Sequence, residues 1–280
     1  MSQKVTKAVI LTAGLGTRFL PVTKVVPKAL LPVAGKPVIH LLVEEAVNSG
    51  IDHVVIVTSP EQTAIKEYFT HNDALERELN RRQKSHLTAD LNALVQKAHL
   101  TFVVQTEALG DGHAILQAKE HIKGDHFAVL FGDDLILGEK PGLAQLIEVF
   151  EQTGGSVIAT EEVPDAKIHN YGVIEPEPTE AKPTKAFIRV KSLVEKPPAT
   201  EAPSNLGVIG KYACHADVLP ALEKSQASHA DGEVRLIDGL ITSLQTGSPI
   251  YACKMQGNRY DTGTPEGYLH ANIAFAKQQS

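Results

Sequence analysis

Thr12-Ala13-Gly14-Leu15-Gly16-Thr17-Arg18-Phe19-Leu20-Pro21 follows directly on a short apolar run, residues 8–11, and leads through Lys24, Pro27 and Lys28 to Pro32. The apolar run reads as the first buried strand of an α/β sheet. Gly14 and Gly16 let the chain turn sharply and approach a ligand with no Cβ in the way. Arg18, Lys24 and Lys28 place cations around the loop, and Pro21, Pro27 and Pro32 stiffen its return. A strand, a glycine loop and fixed cations suit a polyphosphate, which needs backbone N–H donors and positive charge. The pattern predicts a nucleoside triphosphate ligand; the plainer alternative is a surface loop with incidental charges. Two commoner phosphate loops are excluded by spacing. The nearby Gly35-Lys36 pair runs into Pro37 rather than completing a Walker A loop, and Phe19 stands where a dinucleotide fingerprint needs its third glycine.

The 280 residues suffice for one large α/β domain, and the net charge of −6 comes with no block of Lys or Arg. Nucleic acid is therefore not an expected partner, and the basic residues suit a small anionic ligand. The apolar run before Gly14 is too short for a signal peptide or a membrane span, so a cytoplasmic protein without membrane association is expected. Cys214 and Cys253 sit in strand-like apolar contexts and are expected as reduced core residues. His121 and His126 have no cysteine close by, which argues against a structural zinc.

Apolar runs at 8–11, 53–58, 100–105 and 127–131 alternate with helical patterns at 37–49, 60–69, 73–98 and 112–121. This rhythm predicts an α/β fold: a Rossmann-like mixed, mostly parallel sheet flanked by helices. The second half is more mixed, with strands expected near 156–160, 171–174, 187–195 and 206–212, and helices at 142–153, 215–225, 233–245 and from Pro265. Residues 175–184, with three prolines, read as a polar connecting loop. No linker is visible, so residues 1–280 are expected to form a single domain, with a nucleotide-binding part at about 1–135 and a sugar-phosphate-binding part at about 136–280.

Phe131-Gly132-Asp133-Asp134 closes an apolar strand, at the sheet edge where open parallel sheets bind ligands. Asp133 there can hold Mg²⁺ against phosphate oxygens, although such Asp pairs also serve as plain turn formers. Asp261, in Arg259-Tyr260-Asp261-Thr262-Gly263-Thr264-Pro265, again precedes a glycine turn, while Thr264 and Pro265 have the character of a helix cap and first position. Two such aspartates from distant segments can clamp one Mg²⁺. Glu195-Lys196 ends another strand before Pro197 and offers a carboxylate for sugar hydroxyls and an ammonium for a sugar phosphate; a surface ion pair is the alternative.

The G-x-G-T-R and P-K-x-L-L-P elements resemble the signature of the sugar-1-phosphate nucleotidylyltransferase family. Together with 131–134, Tyr171-Gly172-Val173-Ile174-Glu175, 194–197, 202–212 and 232–238, they make nearly the whole chain similar to the bacterial UTP–glucose-1-phosphate uridylyltransferases, whose fold is of the nucleotide-diphospho-sugar transferase type. The resemblance implies that UTP and glucose 1-phosphate give UDP-glucose and pyrophosphate by Mg²⁺-assisted in-line attack, with no covalent enzyme intermediate. It places the nucleotide on Ala13, Gly14, Gly16, Thr17, Gln105 and Gly110, with Gln105 and Gly110 reading the base. The sugar falls to Gly172, Glu195 and Lys196, the metal to Asp133 and Asp261, and the catalytic charges to Arg18, Lys28 and Lys196. A homo-oligomer, dimer or tetramer, is also implied. Asp111 departs from the pattern, since the family usually carries Leu there. The competing readings are a thymidylyltransferase or another sugar-1-phosphate nucleotidylyltransferase, and a non-catalytic nucleotide-sugar-binding regulator.

Overall fold

The computed structural model describes residues 4–178, 187–225 and 232–279. Strand β1 (Lys7–Leu11) is buried through its centre, with Ala8, Val9 and Ile10 fully inaccessible. Such an unbroken apolar run is what a strand needs when both faces of its sheet are covered. A two-residue hairpin, β2 (Pro32–Val33) and β3 (Lys36–Pro37), leads to α1 (Val38–Asn48). Then come β4 (His53–Thr58), α2 (Thr63–Phe69), α3 (Asp73–Arg81), α4 (Ala89–Lys97) and β5 (His99–Val104). Helices α5 (Asp111–Gln117) and α6 (Lys119–Ile122) precede β6 (Phe127–Phe131), β7 (Asp134–Leu137) and α7 (Gly142–Thr153). The second half runs β8 (Ser156–Glu162), β9 (Gly172–Pro176), β10 (Phe187–Glu195), β11 (Leu206–Cys214), α8 (Val218–Lys224), α9 (Leu236–Gln245), β12 (Ile250–Lys254), β13 (Asn258–Asp261) and α10 (Pro265–Gln279).

Nine strands form one mixed sheet in the order β5-β4-β1-β6-β11-β8-β12-β10-β9. The four strands from the first half are parallel, with Leu11 level with both Val57 and Phe131. Strand β11 reverses direction against β6 and β8, β12 runs parallel to β8, and β10 is antiparallel to β12 and β9. Gly207 of β11 also pairs with Val173 of β9, so the last five strands curl back on themselves. Period-two alternation divides the core. Ile10, Ile56 and Leu130 face α1 and α7 through Ile39, Leu42 and Phe150, while Val9, Val57 and Val129 face α5, α8 and α9 through Ile115, Leu222 and Leu240.

The shared register brings the segments after Leu11, Val104 and Phe131 to one edge of the sheet. Gly132 N–H donates to Leu11 O at 2.9 Å, and a Cβ on Gly132 would collide with that carbonyl, so glycine is required for the two strand ends to meet.

Three local features differ from the sequence expectation. The helical pattern over 73–98 is broken: Gln83 adopts φ 56, and a short turn separates α3 from α4. Strands β7 and β13 form a separate antiparallel ribbon too short to register as a periodic pattern, with Asp134 opposite Asp261. The proline-rich loop expected over 175–184 is β9 as far as Pro176, and its residues 179–184 lie outside the described residues. Cys214 and Cys253 are free and buried, as expected. His121 and His126 diverge, the first packing its ring on His53 and the second between His215 and Phe150. Among the described residues, no helix is long and apolar enough to cross a membrane.

Candidate active site

The loop after β1 is held from beneath. Thr12 donates to Val57 O through both its N–H and its hydroxyl, and Gln62 Nε2 donates to Gly14 O at 3.2 Å. A Cβ on Gly14 would meet nothing within 4 Å, so this backbone faces open space. Gly16 has a different task. Its φ of 63° turns the chain, its carbonyl accepts from Thr23 Oγ1 at 2.8 Å, and its Cα packs on Thr23 and Lys28.

A cavity of 280 Å³ opens between this loop and the start of α5, lined by Ala13, Gly14, Gln105, Gly110, Asp111 and Asp133 among others. Gln105 is buried, and its Nε2 donates to Gly110 O at 3.0 Å. The same amide lies 3.1 Å from His113 Nδ1, a neighbour that sequence reading did not flag. Gly110 has φ 94, and a Cβ there would lie 2.5 Å from Val234 O. The segment around Gly110 is stitched to the one before α9, with Val234 N–H donating to Leu109 O and Gly112 N–H to Val234 O. Asp111 Oδ1 accepts from Leu236 N–H at 2.7 Å. Burial, reinforced by the nearby Glu195 and Glu233, pushes the Asp111 carboxyl up to about 6, against its backbone hydrogen bonds.

A wider cleft of 820 Å³ adjoins the cavity, with Phe131 and Asp133 lining both. Arg18, Asp133, Lys196 and Asp261 all face it. The two aspartates are brought together by the β7–β13 ribbon. Thr262 donates to Asp133 O through N–H at 2.7 Å and hydroxyl at 2.8 Å. A Cβ on Gly263 would lie 2.5 Å from Asp133 Oδ2 and 2.8 Å from Asp261 Oδ1, so only glycine lets both carboxylates crowd against this turn, where Gly263 N–H donates to Asp261 Oδ1 at 2.8 Å. Lys28 Nζ donates to Asp133 Oδ2 at 2.6 Å. Thr264 and Pro265 do cap α10, as Thr264 Oγ1 accepts from Gly267 N–H at 3.1 Å.

Next to Tyr171 and Lys196, which line the cleft, Gly172 and Glu195 are cross-strand partners in β9 and β10. A Cβ on Gly172 would lie 3.2 Å from Glu195 Oε2. Lys196 takes φ 46, in the left-handed region that a lysine rarely occupies, and its N–H donates to Tyr171 O at 3.1 Å. This bend ends the strand's in-out alternation, leaving Lys196 Nζ 3.5 Å from Glu195 Oε1 while Lys196 lines the cleft.

Along the cleft, at Asp134, Tyr171 and Arg259, runs an ionic network absent from the sequence expectation. Arg259 Nε donates to both oxygens of the buried Asp134, at 3.0 and 2.9 Å, and Nη1 reaches Glu161 Oε1 at 2.6 Å. Arg259 also lies over the Tyr171 ring, 5.8 Å from its centre. The fully buried Lys211 pairs with Glu45, whose other oxygen accepts from Leu143 N–H. No periodicity marks these residues, because their partners come from distant strands.

A profile of the nucleotidyl transferase family matches residues 7–278. The chain belongs to this family. Among curated nucleotidyl transferase relatives, the UTP–glucose-1-phosphate uridylyltransferase of Mycoplasma pneumoniae is 41% identical over 96% of this chain and 92% of its own length. A crystal structure of apo UDP-glucose pyrophosphorylase superimposes with a TM-score of 0.91 at 33% identity, covering 99% of this chain and 100% of the other. The UTP-bound UDP-glucose pyrophosphorylase of Acinetobacter baumannii gives 0.88 at 34% identity, covering 98% and 94%. The mixed α/β architecture is thus that of solved nucleotidyl transferases.

Of the residues singled out from sequence, Arg18, Lys28, Lys196, Asp133 and Asp261 meet at or beside the wider cleft, and Ala13, Gly14, Gln105 and Gly110 line the smaller cavity. Gly16, Thr17, Gly172 and Glu195 line neither, and Lys24 is exposed away from both.

Proposed function

We propose that this nucleotidyl transferase moves a uridylyl group from UTP to glucose 1-phosphate, giving UDP-glucose and pyrophosphate. The observation that carries the reading is the convergence of Asp133 and Asp261 on Gly263, with Lys28, Arg18 and Lys196 around the same cleft. The name of the Mycoplasma relative and the UTP held by the Acinetobacter structure support the choice of nucleotide and sugar.

The donor set suits Mg²⁺: the carboxylates of Asp133 and Asp261 are hard oxygen donors gathered on either side of Gly263, and an ion there would compete with Lys28 for Asp133 and take its other ligands from phosphate and water. Bound there, the ion would neutralise charge between the reacting phosphates. The chain's own groups do the rest. Gln105 and Gly110 read uracil at the base end, and the backbone from Ala13 to Thr17 lies along the triphosphate. Lys28 and Arg18 hold the departing pyrophosphate, and Lys196 steers the sugar phosphate toward the α-phosphorus. Gly172 lets Glu195 and Ile237 pack close to the strand, and Glu195 accepts from the hexose hydroxyls. The sugar phosphate is already anionic and needs no protein nucleophile, so rate comes from alignment and charge compensation. In this reading residues 1–135 serve the nucleotide and 136–280 the sugar phosphate, within a single domain of a cytoplasmic homo-oligomer.

The test is pyrophosphate release with glucose 1-phosphate, Mg²⁺ and each of UTP, dTTP, CTP and GTP. Release selective for UTP and dependent on sugar phosphate and metal is expected. Selectivity for dTTP would overturn the base assignment, and binding without release would leave a regulator.

A further inference from the structure

Asp111 is the first residue of α5 and lies between the two ends of the site. On one side is Gly110, whose carbonyl anchors Gln105. On the other is Tyr212 of β11, a buried phenol facing the wider cleft. Desolvation raises the Tyr212 pKa well above its usual value, and the charges of Asp111, Glu195 and Asp134 add to that. Glu195 in turn acts on Asp111 itself. Asp111 lines the smaller cavity with Gln105, and it is tied toward Glu195 through α9: Leu236 N–H binds Asp111, and a Cβ on Gly172 would lie 2.8 Å from Ile237 Cδ1 and 3.2 Å from Glu195 Oε2.

Its carboxylate is also set in place. Oδ1 takes the Leu236 N–H at 2.7 Å, and Gly112 N–H lies close enough to favour the ionised form. A carboxylate has about four acceptor positions, so capacity remains toward the cavity. The Leu236 bond comes from the start of α9, and the Val234 pairing holds the same segment against Gly112. An acceptor fixed from two elements loses little freedom when a hydroxyl docks on it.

We propose that Asp111 is a specificity residue for the sugar: with Oδ1 held by Leu236, the carboxylate accepts a hydrogen bond from a hexose hydroxyl alongside Glu195. The proposal rests on the nucleotidyl transfer reading above and adds a group that the sugar-binding set of Gly172, Glu195 and Lys196 does not contain. A charge-assisted bond of this kind contributes roughly ten- to hundredfold in affinity.

The experiment compares wild type with Asp111→Asn, which keeps an acceptor for Leu236 N–H, using glucose 1-phosphate and its 2-, 3- and 4-deoxy analogues. The variant is expected to raise KM for glucose 1-phosphate about tenfold, with KM for UTP within about twofold. One deoxy analogue should be penalised in wild type and lose that penalty in the variant, the signature of coupling between that hydroxyl and Asp111. Identical deoxy penalties in both proteins would overturn the proposal. So would a change confined to the UTP-to-dUTP ratio, which would give the contact to the ribose. Calorimetric titration with UDP and UDP-glucose separates this outcome from failure of the activity reading. Asp111→Asn should weaken UDP-glucose but not UDP, whether or not turnover is seen, and equal weakening of both would count against a sugar contact.

Discussion

Asp261 stands directly opposite Asp134 in the ribbon of β13 and β7, which sets its carboxylate beside that of Asp133 across Gly263. Thr262 locks the arrangement with two hydrogen bonds to Asp133 O. Asp133 lies in the turn between β6 and β7 and Asp261 ends β13, so the two reach the site from different parts of the chain and neither is placed by its own loop alone.

Asp133→Ala and Asp261→Ala are each expected to lower turnover by at least about 100-fold, the usual effect of removing a key electrostatic group. Both side chains are partly exposed, so thermal unfolding should move little. Pyrophosphate release and a melting curve on the same preparations check this, and near-normal turnover in either variant would refute the assignment.

Lys196 combines charge with an unfavourable backbone. At φ 46 an alanine is strained and a glycine is not. Lys196→Ala and Lys196→Gly should both lose at least about 100-fold in turnover, while the glycine variant is more stable than the alanine variant by about 1 kcal/mol. Denaturant titration measures the difference; equal stabilities would mean that the bend carries no strain.

The Asp111 carboxyl is raised to about 6 in the fold, from an ordinary value of 3.8. Its contribution to stability is present in full below pH 3.8 and is lost as pH rises through about 6. Asp111→Asn carries no charge and escapes that loss. The variant should therefore match wild type near pH 4 and exceed it near pH 7.5, by at most about 3 kcal/mol. Chemical denaturation at the two pH values tests the sign.

Arg259→Ala strands the buried Asp134 and removes the partner of Glu161, and is expected to cost about 3–5 kcal/mol. Arg259→Met combined with Asp134→Leu should recover part of that loss, because the buried carboxylate goes with its partner; the recovery stays partial since Gly210 N–H loses its acceptor and Glu161 its cation. A double variant no more stable than Arg259→Ala would argue that the pair itself supplies the stability.

Burial pushes the Cys253 thiol up to about 11 and the Cys214 thiol higher still. Neither should react with a disulfide reagent at pH 8 in the folded protein, and both should react on unfolding. Rapid labelling of the native chain would contradict the packing around β11 and β12.

The alternation of apolar runs and helical patterns determined the parallel half of the sheet, because strands buried on both faces must be uniformly apolar. Residues 53–58 and 127–131 are strands with the bounds that the pattern predicts. The turn at Gly16 and the cations Arg18 and Lys28 beside the cavities were legible because a glycine turn and the charges flanking it lie close together in sequence. Thr264 and Pro265 were legible for the same reason, since a helix cap is a contact three residues long.

Tertiary structure alone decided the rest. Asp133 and Asp261 each sit in a stretch that reads as a turn by itself, and only the pairing of β7 with β13 brings their carboxylates together beside Gly263. Arg259, Lys211, Glu45 and His113 carry no local signal, since burial of a charge or an amide is set by partners far away in sequence. The left-handed turn at Lys196 and the closure of β11 on β9 likewise arise from strands meeting in space. Side-chain period and turn chemistry act over one or two turns of chain, whereas the site is built by contacts that span more than a hundred residues.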